Sequence, residues 1–248
     1  MTIEQLTPNF MPLYEQIKRL ITRSLAEGEW QPGAMIPSEM ALARRYQVSQ
    51  GTVRKAINEL VAENMLMRRQ GKGTFVATHA DDGTRYRFLH LRNLAGEQEY
   101  PQSNFISFSR AKADAQVAKR LGIRSGSALV NMQRVLTLTG LPVVYDDIRL
   151  PATLLQGISS SMVEEHVNAY KGTLYSLYET QYQIRIISAQ ERIRAALADE
   201  HVAALLGVAV GAPLLCIERV AFTYKHQAVE WRMSYINTER HYYFDELN

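Results

Sequence analysis

The chain has 248 residues, 46% of them hydrophobic and 21% charged, which is enough to bury one large core or two modest ones. Its net charge is only +3, which excludes a strongly basic nucleic-acid-binding protein. The charge is uneven, however: residues 11–78 carry ten lysines and arginines against six acidic residues, which favours a polyanionic partner for this part.

The sequence lacks the signs of a membrane segment, a disulfide framework or a metal site. No apolar run approaches the length of a membrane span, and the first residues lack the apolar core of a signal peptide. The single cysteine, Cys216, lies in an apolar run, which favours a buried hydrophobic residue over a catalytic thiol. The six histidines include no pair at i, i+3 or i, i+4. We therefore expect a cytoplasmic protein without metal, cofactor or membrane contact.

Three helical patterns precede Asn64. The segment PLYEQIKRLITRSLAEGEW accepts Pro12 in a first turn and carries an apolar stripe of Leu13, Ile17, Leu20, Ile21 and Leu25. The segment IPSEMALARRY predicts a second helix, capped by Ser38, with Leu42 and Ala43 facing inward. The segment VSQGTVRKAINEL predicts a third helix capped by Ser49, with an apolar face of Val53, Ala56, Ile57, Leu60 and Val61. Its polar face carries Gln50, Thr52, Arg54, Lys55 and Asn58.

After Asn64 the pattern changes to that of a hairpin. MLMRR reads as one short strand, QGKG as a tight turn and TFVA as the returning strand. Three helices followed by a hairpin predict a winged helix-turn-helix, in which the third helix enters a DNA major groove. Gly71 and Gly73 would let the wing tip approach a groove, and Lys72 would offer charge to phosphate.

A solvated helix face is the alternative explanation for Arg54 and Lys55. Taken alone, two adjacent cations on a helix favour that explanation. The preceding turn and the glycine-rich hairpin shift the balance to DNA binding, and a winged helix used for protein contacts stays open as the alternative.

The segments PLYEQIK, IPSEMALARRYQVSQGTVRKAINELVAEN and RRQGKGTFVA together resemble the N-terminal domain of GntR-family bacterial transcription regulators. The resemblance implies a homodimer that binds double-stranded DNA at an inverted repeat. It implies DNA contacts from Ser38, Glu39, Ser49, Gln50, Gly51, Thr52, Arg54, Lys55, Gly71, Lys72 and Gly73. Many members carry arginine where this chain has Met40 and Gln50. Arginine prefers guanine, whereas glutamine pairs with adenine, so the half-site is expected to differ from the commonest one.

The polar segment HADDGTRYR breaks both periodicities and reads as a linker. We therefore expect a DNA-binding domain at residues 8–78, a linker at residues 79–87 and a ligand-sensing domain at residues 88–248. Beyond the linker, residues 105–109 suggest a strand, and SALVNMQRVLTLTGLPVVYDDIRLP predicts two long strands joined at TGLP. IRIISAQERIRAAL alternates as a further strand, and APLLCIERVAFTYKHQAVEWRMSYIN predicts a second hairpin that turns near Lys225 to Gln227. The patterns predict short helices at AQVAKRLGI, from Leu174, and at DEHVAALLG.

An internal repeat organises the second half. The two blocks that begin AQVAKRLG and EHVAALLG share a helix, a Leu-Gly pair, a small-residue turn and two strands. Each block places an Arg-Val pair in its first long strand, at Arg134–Val135 and at Arg219–Val220. Such repetition predicts one antiparallel sheet with helices packed on one face.

This half, from Arg85 to the C-terminus, resembles the UTRA ligand-sensing domain of the HutC branch of GntR regulators. The resemblance implies an α+β protein whose second domain has a fold similar to that of chorismate lyase, with a pocket between sheet and helices. It implies effector contacts from Ser103, Asn104, Arg134, Asp146, Thr173, Tyr175, Glu230 and Tyr235.

The effector is expected to be a small carboxylate. Members that sense sugar phosphates carry arginines at the positions that match Asn104 and Leu136, and a dianionic phosphate needs several charged donors. A structural ion pair of Arg134 with Asp146 or Glu230 stays open as the alternative to ligand binding.

The sequence favours a regulator over an enzyme. It contains no Ser-His-Asp arrangement, no phosphate-binding GxxxxGK[ST] loop and no metal-ligand spacing. We therefore expect a ligand-responsive repressor released from its operator by a small molecule, with lyase activity in the sensing domain as the alternative.

Overall fold

The computed structural model describes residues 11–80, 86, 88–170 and 172–246. The chain forms two compact units, Met1–Ala77 and Thr78–Asn248. Residues 8–10 of the predicted first domain, 81–85 and 87 of the predicted linker, and 171, 247 and 248 of the predicted second domain lie outside the described residues. Among the described residues, no helix is long and apolar enough to cross a membrane.

The first unit is a winged helix-turn-helix, as predicted. Its elements in chain order are α1 (Leu13–Ala26), α2 (Glu39–Tyr46), α3 (Gln50–Ala62), β1 (Leu66–Arg69) and β2 (Gly73–Val76). The two strands pair antiparallel, with Leu66 opposite Val76 and Arg69 opposite Gly73. An isolated bridge between Met35 and Phe75 adds a third extended segment beside the hairpin.

Local capping and one buried face explain these helices. The Ser38 hydroxyl accepts from the Ala41 N–H at 3.2 Å, and the Ser49 hydroxyl accepts from the Thr52 N–H at 3.1 Å, so both predicted N-caps are confirmed. The core is formed by one face of each helix and by the wing, with Ile17, Ile21, Leu25, Leu42, Val53, Ala56, Ile57, Leu60, Leu66 and Val76 buried.

The predicted apolar stripe of α1 is too wide. Leu13 and Leu20 are 49% and 44% exposed, whereas Ile17, Ile21 and Leu25 are buried. Leu13 is the first residue of the helix, and Leu20 lies at the edge of the face that Ile17 and Ile21 define. The inward face of α1 therefore includes Ser24 rather than these two leucines.

The second unit is built on one six-stranded antiparallel sheet. Its strands are β4 (Gln102–Lys112), β5 (Ala128–Leu138), β6 (Leu141–Pro151), β7 (Ser188–Leu197), β8 (Pro213–Thr223) and β9 (Gln227–Ile236), in the spatial order β4-β5-β6-β9-β8-β7. Its helices are α4 (Ala115–Leu121), α5 (Ser160–Tyr170), α6 (Leu174–Tyr182) and α7 (Glu200–Leu206). A small sheet pairs β3 (Leu91–Asn93) with β10 (His241–Tyr243), and a 3₁₀ turn, Tyr224–His226, joins β8 to β9.

The predicted internal repeat is visible as two β-α-β-β blocks. One block is β4-α4-β5-β6 and the other is β7-α7-β8-β9, and β6 pairs with β9 at the centre of the sheet. Equivalent aspartates, Asp114 and Asp199, cap α4 and α7 by accepting from backbone N–H groups at 2.8 Å. Both helices end at a glycine with positive φ, 63° at Gly122 and 66° at Gly207, where a β-carbon would be strained.

Helices cover both faces of this sheet, so the expectation of one covered face is wrong. Alternate residues of a strand point to opposite faces. On β5, Val130 and Met132 pack in the cluster that contains α5 and α6, whereas Leu129 packs with α4 and Val135 packs with α7. Two features were not predicted: α5, whose buried apolar residues among the described side chains are Val163 and Val167, and the three-residue strands β3 and β10.

Candidate functional site

The N-terminal turn of α3 presents a polar surface. Ser49 and Thr52 are engaged in the cap, since their hydroxyl oxygens lie 2.9 Å apart. Gln50, Gly51 and Arg54 are exposed. The exposed amide and guanidinium side chains lie at the end of the helix that a winged helix inserts into DNA.

Glu39, at the start of α2, organises these side chains. Its Oε2 atom accepts from Arg54 Nε at 2.9 Å and from Gln50 Nε2 at 3.4 Å, and its Oε1 atom accepts from Arg68 Nη2 at 3.0 Å. One carboxylate thus joins α2, α3 and the first wing strand. Exposed ion pairs contribute little stability, so the consequence of this cluster is mainly the orientation of two arginines.

The wing tip has the geometry that its glycines predict. Gly71 and Gly73 have φ values of 70° and 116°, and the Lys72 N–H donates to the Arg69 carbonyl at 2.9 Å. Lys72 is exposed at the tip. Lys55 differs from the other predicted contacts, because its Nζ atom lies 3.7 Å from the centroid of the Tyr14 ring of α1.

A cavity of about 730 Å³ lies in the second unit, on the face of the sheet that α5 and α6 cover. Its floor is charged and its walls are largely aromatic. The floor includes Arg134, Asp146, Arg219, Arg232 and Ser234, and the walls include Phe88, Tyr100, Tyr175 and Tyr243.

Asp146 is the acceptor that holds the floor together. Its Oδ2 atom accepts from Arg134 Nε at 2.8 Å and from Arg232 Nη1 at 3.2 Å, and its Oδ1 atom accepts from the Ser234 hydroxyl at 2.6 Å. Burial alone would raise the pKa of Asp146, but the charges of Arg232 and Arg134 and the bond from Ser234 outweigh burial and lower it. Asp146 is therefore an ionised counter-charge at neutral pH.

Glu230 lies beneath the floor and is fully buried. It accepts from the Tyr175 hydroxyl at 3.1 Å, from the Tyr178 hydroxyl at 3.0 Å and from Arg232 Nη2 at 2.9 Å. Burial and the nearby Glu230 carboxylate raise the pKa of Tyr175 to about 12, so this tyrosine remains a hydrogen-bond donor.

Arg134 differs from the other two arginines of the floor. Arg219 donates to Glu191 and to the Phe88 carbonyl, and Arg232 bridges Asp146 and Glu230. Arg134 uses only Nε, so its two terminal nitrogens have no partner within the described part of the chain. The ion pair with Asp146 therefore exists, and it leaves the outer edge of the guanidinium open to the cavity.

Three further predicted contacts line the cavity: Ser103, Asn104 and Thr173. The Ser103 hydroxyl is buried and has no hydrogen-bond partner among the described residues, although buried polar groups usually have one. Asn104 Nδ2 lies 3.5 Å from the Thr137 hydroxyl. Thr173 caps α6, accepting from the Ser176 N–H at 3.1 Å.

Comparison with known proteins assigns both units. The profile of the gntR family of bacterial regulatory proteins matches residues 13–76, and that of the UTRA domain matches residues 97–242. The chain belongs to the GntR family and carries a UTRA domain. It is therefore a ligand-responsive, DNA-binding transcription regulator of the HutC type.

Relatives of this GntR regulator span both units. It is 26% identical over 252 residues to the HTH-type transcriptional repressor NagR of Bacillus subtilis, with 100% of each chain covered. It is 27% identical over 213 residues to the Histidine utilization repressor of Pseudomonas putida, covering 84% of this chain and 81% of that one. A solved ligand-binding domain, assigned to the GntR-family regulators of Bordetella bronchiseptica, shares 33% identity with a TM-score of 0.60, covering 66% of this chain and 99% of that one.

In the UTRA domain of this regulator, one residue that was predicted to contact the effector lies outside the cavity. Tyr235 does not line the cavity; its ring lies over Tyr145, at a centroid distance of 6.1 Å, in the cluster that contains α7. Ser234, the preceding residue, faces the cavity instead, because strand neighbours point to opposite faces. Glu230 supports the floor from below rather than lining it.

Three polar residues of the GntR regulator were missed as site residues. Arg68 joins the Glu39 cluster, and Arg219 and Arg232 join the floor of the cavity. The repeat did carry a signal for Arg219, which is the counterpart of Arg134 in the second block. Cys216 is buried, as predicted, and burial raises the pKa of its thiol. Within the described residues, no cluster of three His, Cys, Asp or Glu side chains could hold a metal ion.

Proposed function

We propose that the protein is a homodimeric repressor that binds an inverted-repeat operator in the bacterial cytoplasm and is released by a small carboxylate effector. The proposal assigns residues 8–78 to operator binding, residues 79–87 to the connection and residues 88–248 to effector sensing. The observation that carries the effector assignment is the open edge of Arg134, fixed by Asp146 at the floor of an aromatic cavity.

Operator binding is assigned to α3 and the wing. Arg54 and Arg68 present guanidinium groups that one carboxylate, Glu39, holds in place. Two copies of α3 in a dimer would reach successive major grooves about 34 Å apart. The names of NagR and of the Histidine utilization repressor support repression as the direction of regulation.

Charge balance favours a singly charged effector. The cavity floor and the layer below it combine three arginines with three carboxylates: Arg134, Arg219 and Arg232 with Asp146, Glu191 and Glu230. A dianionic phosphate would add two uncompensated charges, whereas a carboxylate adds one. The positions of Asn104 and Leu136 on the cavity wall supply no further cation.

We assign no catalytic role to this cavity. A general acid or base works best with a pKa near the operating pH. Asp146 has a lowered pKa and Tyr175 a raised one, so neither exchanges protons readily at neutral pH. An assay for elimination from chorismate, the substrate of the lyase whose fold the sensing domain resembles, would detect the alternative function directly.

Arg54 provides the test of operator binding. After selection of a preferred duplex from random DNA by the full chain, Arg54→Ala is expected to weaken binding to that duplex by about 1–3 kcal/mol. Arg23→Ala is the matched control, because Arg23 is an exposed arginine of α1 paired with Glu27. Equal binding by folded Arg54→Ala and wild-type protein would remove α3 from the DNA contact and favour a winged helix used for protein contacts.

Gln50 is expected to read one base pair in each half-site. Gln50→Ala should relax the preference at a single position and leave binding to random duplex nearly unchanged, since a base contact carries sequence information and a phosphate contact does not. Asn58→Ala, an exposed amide further along α3, is the control. An unaltered preference profile in Gln50→Ala would show that the glutamine makes no base contact.

A further inference from the structure

Two adjacent residues, Ala77 and Thr78, mark the boundary between the units. Each of them is hydrogen-bonded within its own unit. The Ala77 N–H donates to the Met65 carbonyl at 3.1 Å in the first unit. In the second unit, the Thr78 hydroxyl and the His79 N–H both donate to Oε2 of Glu179, the latter at 2.8 Å. His79 was predicted to open a linker, but it is buried. One peptide bond thus connects a residue held by the first unit to a residue held by the second.

The His79 side chain adds a second attachment to the sensing unit. Its Nε2 atom lies 2.8 Å from the Ile186 carbonyl, just beyond the end of α6. Its ring meets the Tyr175 ring edge-on, with centroids 5.6 Å apart. The first residues of the sensing unit therefore touch a side chain that lines the cavity.

Helix α6 carries both sets of contacts. Its first turn lines the cavity through Leu174 and Tyr175, and Tyr175 donates to Glu230 below the floor. Glu179 follows Tyr175 by four residues, which is about one helical turn and places both on the same side of the helix. Tyr175 and Glu179 are both buried, and the backbone of one helix joins them.

We propose that α6 couples the cavity to the joint between the units, with Glu179 as the positioning residue that holds Thr78 and His79. This inference rests on the proposed function, since it describes how occupancy of the cavity reaches the DNA-binding unit. A ligand that alters the position of Tyr175 alters the anchor of Thr78, which is the first residue of the sensing unit.

Amide hydrogen exchange of residues 78–80 in the full chain tests this coupling without DNA or ligand. Tyr175→Phe removes the hydrogen bond that α6 makes to Glu230 through Tyr175. Tyr243→Phe removes a comparable bond, to Glu191, from another tyrosine that lines the cavity. We expect Tyr175→Phe to raise exchange at residues 78–80 about fivefold, the effect of one ordinary hydrogen bond, and Tyr243→Phe to leave it unchanged. No change with Tyr175→Phe, or an equal change with both variants, would overturn the proposal.

A second comparison isolates the Glu179 contact. Thr78→Val removes the hydroxyl that donates to Glu179, and Thr180→Val removes a hydroxyl of α6 that donates within the helix, to the Ser176 carbonyl. If Glu179 positions the joint, adding Tyr175→Phe to Thr78→Val produces a smaller further increase in exchange, because the Thr78 hydroxyl is gone and the His79 N–H still donates to Glu179. Adding Tyr175→Phe to Thr180→Val produces the full increase. Additive effects in both backgrounds would remove Glu179 from the coupling, whatever the outcome of the operator and effector experiments.

Discussion

Replacing Asp146 by asparagine is expected to lower the free energy of unfolding by about 3–5 kcal/mol, as removal of one partner from a buried ion pair does. Asparagine keeps the shape of the side chain. The loss of stability therefore measures the removal of the charge and not the creation of a packing void. Asp146 is 1% exposed and serves two arginines at once, and both would remain buried after the change. Denaturant titration of wild type and variant measures the difference.

The adjacent residue supplies the control. Asp147 points to the opposite face and pairs with Arg149 at 2.8 Å, but both side chains are partly exposed. Asp147→Asn should cost less than about 1 kcal/mol, because water screens such a pair. Equal losses for the two variants would mean that Asp146 is not the counter-charge of the floor.

The contribution of Asp146 to the free energy of unfolding should also depend on pH. Its pKa is lowered in the folded chain relative to the unfolded value of about 3.9. The stabilisation is fully present above the unfolded pKa and is lost as the pH falls below about 4 towards the folded pKa. Wild type should therefore lose stability more steeply than Asp146→Asn in that range.

Local signals explain why the first unit was predictable. The caps at Ser38 and Ser49 and the glycines of the wing depend on residues within four positions of each other. The Glu39 cluster does not: it joins residues 15 and 29 positions away, and Arg68 comes from a strand whose orientation depends on how the hairpin packs. The orientation of Arg54 therefore had no sequence signal.

In the second unit, the internal repeat predicted the sheet. The residues that line the cavity depend in addition on which face of the sheet each strand residue points to. Residues 230 and 235 differ by an odd number, so regular alternation in β9 cannot place both on one face. The bulge near Ala221 and Phe222 does not help, since it lies opposite the start of β9, before this stretch. Alternation counted from Glu230 places Ser234, and not Tyr235, on the cavity side of β9.

The open edge of Arg134 could not be predicted for a different reason. Asp146 could have bound any part of the guanidinium, and in the folded chain it accepts from Nε while Arg232 and Ser234 donate to the same carboxylate. These contacts join three strands, β5, β6 and β9, that are neighbours only in the folded sheet. The ion pair and the ligand contact, which the sequence left as alternatives, are compatible in this geometry.

Arg134→Lys is expected to weaken effector binding by about 1.5–3 kcal/mol, roughly 10–150-fold, while the protein stays folded and binds its operator. Lysine keeps the charge that Asp146 requires, but its single ammonium cannot bind Asp146 and also offer two parallel N–H groups to a carboxylate. Arg149→Lys is the matched control, since Arg149 lies one strand away, on the face that carries α4 and α7, and pairs with Asp147.

Calorimetry of wild type and both variants against benzoate and glucose 6-phosphate measures the effect and the ligand class together. Benzoate is chosen because its ring suits walls made by Phe88 and Tyr175 and its carboxylate suits the free edge of Arg134. We expect wild type and Arg149→Lys to bind benzoate alike and better than glucose 6-phosphate, and Arg134→Lys to lose most of that affinity. Tighter binding of the sugar phosphate would contradict the charge argument, because it would require a cation beyond the three arginines that the floor already pairs. An Arg134→Lys protein that binds benzoate as wild type does would instead assign Arg134 to the ion pair alone.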